Sequence, residues 1–157
     1  MRSFLFRTLL WIWAVIPPLF FLPASAASLS CMPPSMSQEI FDASAAVFTG
    51  RVLESRSLTA RELKILESHG IRSFSGTMEE LQISRVLVQH SWKGPPAESE
   101  VLVYRDTYWG DSLSVETEFL FVTGRKIEQI YEAELCGNTL PLAHAADLLQ
   151  ELKKIAP

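Results

Sequence analysis

The chain has 157 residues, a formal charge of −4 and 48% hydrophobic residues. That length suits one domain preceded by a short leader, and the acidic balance argues against nucleic acid, which attracts basic faces. The histidines, His69, His90 and His144, have no His, Cys or acid at ligand spacing, which excludes a recognisable metal motif.

Residues 1–26 have the three parts of a cleavable export signal. Arg2 and Arg7 give a positive start, and no acid precedes Glu39. An apolar run from Leu9 to Leu22 follows, interrupted by Pro17-Pro18, and Ala24-Ser25-Ala26 supplies small residues before a cut at Ala27. A bilayer span needs about 20 apolar residues of uninterrupted helix, which the proline pair denies. Cleavage leaves residues 27–157 as a single domain with 12 Lys+Arg against 18 Asp+Glu, a charge of −6. The chain is expected in the periplasm or outside the cell.

Two cysteines in an exported domain are expected to pair, so a Cys31–Cys136 bridge is predicted. It would close a loop of about 105 residues, for which chain entropy gives an upper figure of about 4–5 kcal/mol. The competing assignment is lipidation of Cys31. Leu29-Ser30-Cys31 is close to a lipobox, but the leucine sits one place too near the cysteine, and Cys136 would be left unpaired.

Ser35 and Gln38 have capping-box spacing, and Met36, Ile40 and Phe41 share a face of a short predicted helix ending near Ala43. Residues 45–54 read as a strand, with Gly50 marking a bulge or bend. The polar segment 55–77 is expected to be a mobile insert with a brief helix over Arg61–Glu67. Leu81, Ile83, Val86 and Val88 mark a long strand whose apolar phase slips by one between Ile83 and Val86, as a bulge would cause. Trp92-Lys93-Gly94-Pro95-Pro96 ends it. Strands are predicted at Val101–Tyr104, Glu118–Val122 and Ile127–Leu135, with a turn from Asp106 to Ser112. From Pro141 to Ile155 the spacing of Leu142, Ala145, Ala146, Leu149 and Leu152 predicts a helix, with Pro141 in its first turn. The fold class is mainly β: a five-stranded antiparallel barrel, OB-fold-like, with a short N-terminal helix and a C-terminal helix.

Five motifs occur in order: Cys31-Met32-Pro33-Pro34-Ser35, Ala46-Val47-Phe48-Thr49-Gly50-Arg51-Val52, Trp92-Lys93-Gly94, Phe119-Leu120-Phe121-Val122, and Cys136-Gly137-Asn138-Thr139-Leu140-Pro141-Leu142. Together they resemble the TIMP-like (tissue inhibitor of metalloproteinases) or netrin-like domain family in its small exported bacterial form. The resemblance covers 29–155 apart from 55–77. It implies an OB-type barrel whose N-terminal segment is stapled to it by disulfides. The family pattern usually opens Cys-x-Cys, which places Leu29 at the first cysteine and Cys31 at the second. A further family cysteine is common before a middle-turn glycine, where this chain has Trp109-Gly110. The resemblance therefore implies that one staple is missing at both ends, and that Cys31–Cys136 is the one retained.

In animal members of this family the first cysteine is the mature N-terminus, and its amine and carbonyl chelate a protease's zinc. Leu29 stands in that place, and the favoured cut leaves it internal. The leading expectation is therefore a non-enzymatic module that binds another exported or envelope protein through Leu29, Ser30, Cys31, Met32 and adjacent loops. One alternative is inhibition of a metalloproteinase. Another is a small-ligand or glycan site at Tyr104, Tyr108 and Trp109, where aromatics flank a turn. No catalytic residue, cofactor or metal is expected. Glu98 with Glu100, or Glu116 with Glu118, read as solvated alternate strand positions rather than paired catalytic acids.

Overall fold

The computed structural model describes residues 34–73, 75–108, 112–133 and 138–156. In chain order these form α1 (Gln38–Ala43), β1 (Ala46–Ser57), α2 (Ala60–Ser68), β2 (Leu81–Lys93), β3 (Glu100–Asp106), β4 (Glu118–Thr123), β5 (Lys126–Ile127), β6 (Ile130–Glu132), β7 (Leu140–Pro141), a 3-10 turn (Leu142–His144) and α3 (Ala146–Ile155). The molecule is mainly β, as its sequence predicts. The strands form one sheet in the order β5-β6-β3-β2-β1-β4-β7. Its pairings are antiparallel except β3 with β6, which is parallel.

That order forces the sheet to curl. In a flat sheet β4 and β5 would stand five strand spacings apart, about 24 Å. Only Gly124 and Arg125 separate Thr123 from Lys126, a reach of about 11 Å at most. The two ends of the sheet must therefore approach, and the result is a half-barrel.

Burial follows the curl. The concave side holds Phe48, Val52, Val86, Val88, Val103, Phe119, Phe121 and Tyr131 in one cluster, with Phe48 and Phe121 stacked at 4.9 Å. One sector of the convex side is covered by α1 and α3, where Val47, Leu120 and Val122 meet Met36, Leu148 and Leu152. Another is covered by α2, where Leu66 and Ile71 meet Leu81, Ile83, Tyr104 and Ile130.

This two-sided burial accounts for the phase slip in β2. The β2–β3 register runs without interruption from Leu81↔Asp106 to Leu87↔Glu100, so β2 has no bulge against that neighbour. Leu81 and Ile83 lie in the cluster under α2, and Val86 and Val88 in the concave one. The covered face changes along the strand, and the apolar phase changes with it. The irregularities lie in the β1–β2 register: one, between Val52 and Glu54, stands opposite Val86 and Arg85, where the apolar phase slips, and another lies between Thr49 and Gly50 as expected. A Cβ on Gly50 would stand 2.6 Å from Val86 Cγ1 and 2.8 Å from the Leu87 carbonyl oxygen, so its role is close backbone approach.

Other boundaries move. The cap of α1 is Ser37, whose hydroxyl accepts from Ile40 N–H at 3.2 Å, rather than Ser35. β1 runs on to Ser57, so Ser55–Ser57 belong to the sheet, and α2 is longer than predicted. The single strand predicted over 127–135 is a hairpin, β5 and β6, reversed at Glu128-Gln129, with Glu128 at φ 52°. Pro141 is extended (φ −53°, ψ 135°) and pairs with Phe119, so the helix starts later, at Ala146. Among the described residues no helix is long and apolar enough to cross a membrane.

Candidate binding surface at the N-terminal anchor

The described chain enters at Pro34 and is fixed at once. Ser35 N–H donates to Asn138 Oδ1 at 3.0 Å, and Met36 N–H donates to Glu151 Oε2 at 2.7 Å. The second bond is charge-assisted and correspondingly short. The Met36 side chain is buried among Leu148, Leu152 and Val122. Two backbone donors and one apolar side chain thus pin the segment preceding α1 to the C-terminal part of the domain.

The partners are themselves held. Thr139 Oγ1 accepts from Val122 N–H at 3.1 Å and lies 3.2 Å from the Val122 carbonyl, which locks the residues beside Asn138 onto β4. Lys93 Nζ donates to the Phe41 and Asp42 carbonyls at 3.0 and 2.8 Å. It satisfies carbonyls that the last turn of α1 leaves open, and it sits 5.6 Å over the Phe41 ring. A groove of about 290 Å3 opens beside this anchor, lined by Ile40, Val122, Gly124 and Asn138.

At the far end of β3 lies a smaller cleft of about 150 Å3 bounded by Ile71, Arg72, Tyr104, Asp106, Arg125 and Glu132. Arg125 is paired with Glu132. Asp106 Oδ1 accepts from Tyr108 N–H at 2.9 Å and stands 3.1 Å from the Ser73 hydroxyl, which is also 2.8 Å from Glu80 Oε2. One hydroxyl proton serves only one of these carboxylates at a time. Tyr104, predicted as part of an aromatic ligand face, is 2% exposed under α2, whereas Tyr108 is 41% exposed.

The family models of known proteins were searched and none matches the chain. No curated protein matches it either.

Of the residues singled out from sequence, Leu29, Ser30, Cys31, Met32, Trp109 and Cys136 lie outside the described residues. Tyr104 and Tyr108 are described and do not present a common exposed face. His69 caps α2, with Nδ1 2.9 Å from the Ile65 carbonyl; His90 packs edge-on against Trp92 at 4.3 Å. Among the described residues no group of three or more His, Cys, Asp or Glu is placed to hold a metal.

Sequence reasoning missed Asn138, Glu151 and Lys93 as anchoring residues. Asn138 and Lys93 stood inside motifs quoted for the resemblance, so a signal was present. Glu151 gave none: its partner is a backbone N–H 115 positions away.

Proposed function

We propose that this chain is an exported, non-enzymatic protein-binding module of the TIMP-like or netrin-like kind, presenting its N-terminal segment to another exported or envelope protein. The observation that carries this reading is the double backbone anchor at Ser35 and Met36. A segment whose attachment point is fixed before binding loses less entropy when a partner engages it. The strand arrangement supports an OB-type barrel within that reading. In its favour are β1 flanked by β2 and β4 and the parallel β3–β6 pairing within an otherwise antiparallel sheet.

The Cys31–Cys136 bridge belongs to the same proposal. Cys31 is four residues before Ser35 and Cys136 two before Asn138, so the Ser35–Asn138 bond leaves both within reach of one another. Residues 1–26 act as the export signal. Metalloproteinase inhibition remains the alternative only for a chain whose mature terminus is Cys31. The glycan reading draws no support from Tyr104, whose ring is buried.

Photo-crosslinking in the native envelope tests the proposal. A crosslinking side chain placed at Met32 is expected to capture one discrete partner, and the same group at Arg61, exposed on α2, none. Capture from Arg61 alone, or from neither, overturns it. Mass spectrometry of the same material reads the mature terminus and the bridge: a start at Ala27 or Ser28 removes the zinc-chelating alternative.

A further inference from the structure

A second surface lies at the opposite end of β4 from the N-terminal anchor. The turn Ser114–Thr117 is clamped to β1: Glu116 N–H donates to the Val52 carbonyl at 2.8 Å, and Val52 N–H donates to the Thr117 carbonyl at 3.1 Å. Beside it runs an open groove of about 680 Å3, with Arg51, Glu116 and Glu118 on one side and Pro141, Leu142 and Ala143 on the other.

The groove makes two chemical offers. Its far wall, of Pro141, Leu142 and Ala143, is apolar. Its near wall has two carboxylates against one guanidinium. Arg51 Nη1 stands 3.7 Å from Glu116 Oε2, beyond hydrogen-bond reach, so Glu116 keeps its capacity to accept. Glu118 takes one bond, from Gln89 Nε2 at 2.6 Å, and has further lone pairs to give.

We infer that this groove is a docking site for an extended segment of a partner protein carrying a lysine or arginine next to apolar side chains. The charge is complementary, since the wall bears a net negative charge within a domain of charge −6. A peptide supplies in one ligand the cation for Glu116 and Glu118 and the apolar side chains for Pro141 and Leu142. The surface goes beyond the N-terminal contact proposed above and does not depend on it.

The test is an amide NMR titration of the purified protein with acetyl-Leu-Lys-Leu-Arg-Leu-amide and with its counterpart bearing Glu for Lys and Arg. The basic peptide is expected to shift the amides of Val115–Glu118 and Leu142–Ala143 saturably, and more weakly as salt is raised; the acidic one is expected to leave them unmoved. Glu116→Gln and Glu118→Gln should each weaken binding about fivefold, the upper range for an exposed ion pair, while amides elsewhere keep their positions. Asn138→Ala should bind the peptide as the unaltered chain does, which separates this surface from the N-terminal one. Shifts outside the groove, equal response to both peptides, or undiminished binding by the two glutamine variants overturns the inference.

Discussion

Glu62 is tied into three interactions at one point. Its carboxylate accepts from both Arg56 Nη atoms at 2.8 Å and from Thr59 N–H at 2.7 Å, while Thr59 Oγ1 accepts from Glu62 N–H at 3.3 Å. This is a reciprocal capping box at the start of α2, and the Thr-x-x-Glu spacing that encodes it stood in the sequence unread. The Arg56 guanidinium holds the Glu62 carboxyl down at about 2, against burial that pushes it up and with help from Thr59. Because the folded value lies below the ordinary 4.5, the stabilisation is complete above pH 4.5 and lost as pH falls towards 2. Glu62→Gln is expected to cost about 1–2 kcal/mol at neutral pH and to flatten the acid limb of the stability profile between those values. Urea melts across pH 2–7 measure both.

Backbone conformation sets a second prediction at this scale. Gly94 has φ 102°, and a Cβ there would lie 2.5 Å from Ala46 Cβ. Gly94→Ala therefore carries both left-handed strain and a clash with a buried strand residue, and is expected to cost about 2–4 kcal/mol by chemical denaturation. Glu98 is the converse: a glutamate at φ 63° in the turn before β3. Glu98→Gly should raise stability by about 0.5–1 kcal/mol, since removing the Cβ relieves more than the added chain entropy takes back.

At the scale of elements, α2 has nine residues, too few to hold a helix in water without tertiary packing. Leu66, fully buried, supplies that packing with Ile71 against Leu81 and Ile83. Leu66→Ala is expected to cost about 2–4 kcal/mol and to speed amide exchange across α2 far more than across β4, whereas Arg61→Ala should change neither. The sequence made a short helix legible here because Leu63, Leu66 and Gly70 sit at helical offsets. It did not make the covering of β2 legible. Leu81 and Ile83 alternate as one buried face and Val86 and Val88 as the other, and no local pattern says that a helix formed earlier in the chain will cover the first pair. A bulge and a change of covered face leave the same mark on a sequence. The β5–β6 reversal escaped notice for a similar reason: Glu128-Gln129 has no turn-forming residue, and the turn exists because Glu128 adopts a positive φ within a sheet that closes around it.

At the scale of the molecule, the half-barrel joins distant parts of the chain through its strand ladders, β1 with β4 and β3 with β6 among them. The short β4–β5 link draws the sheet ends together, and the N-terminal segment meets the C-terminal residues through the Ser35–Asn138 and Met36–Glu151 bonds. The proposed Cys31–Cys136 bridge would act differently from those bonds. The bonds stabilise the folded chain, whereas a covalent tie closing about 105 residues restricts the unfolded one. Its removal should therefore lower stability even where the folded contacts persist. The chain-entropy ceiling of about 4–5 kcal/mol is reduced by strain and by residual structure in the unfolded chain, so a loss of about 2–4 kcal/mol is expected. For a domain of this size that is a drop in Tm of about 10 °C. Dithiothreitol should produce the drop in the unaltered protein, Cys31→Ser/Cys136→Ser should show it without reductant, and reductant should then change that variant no further. If reductant leaves the unaltered protein's Tm in place, the two cysteines are not joined, and the anchor at Ser35 and Met36 holds the N-terminal segment by hydrogen bonds and the burial of Met36 alone.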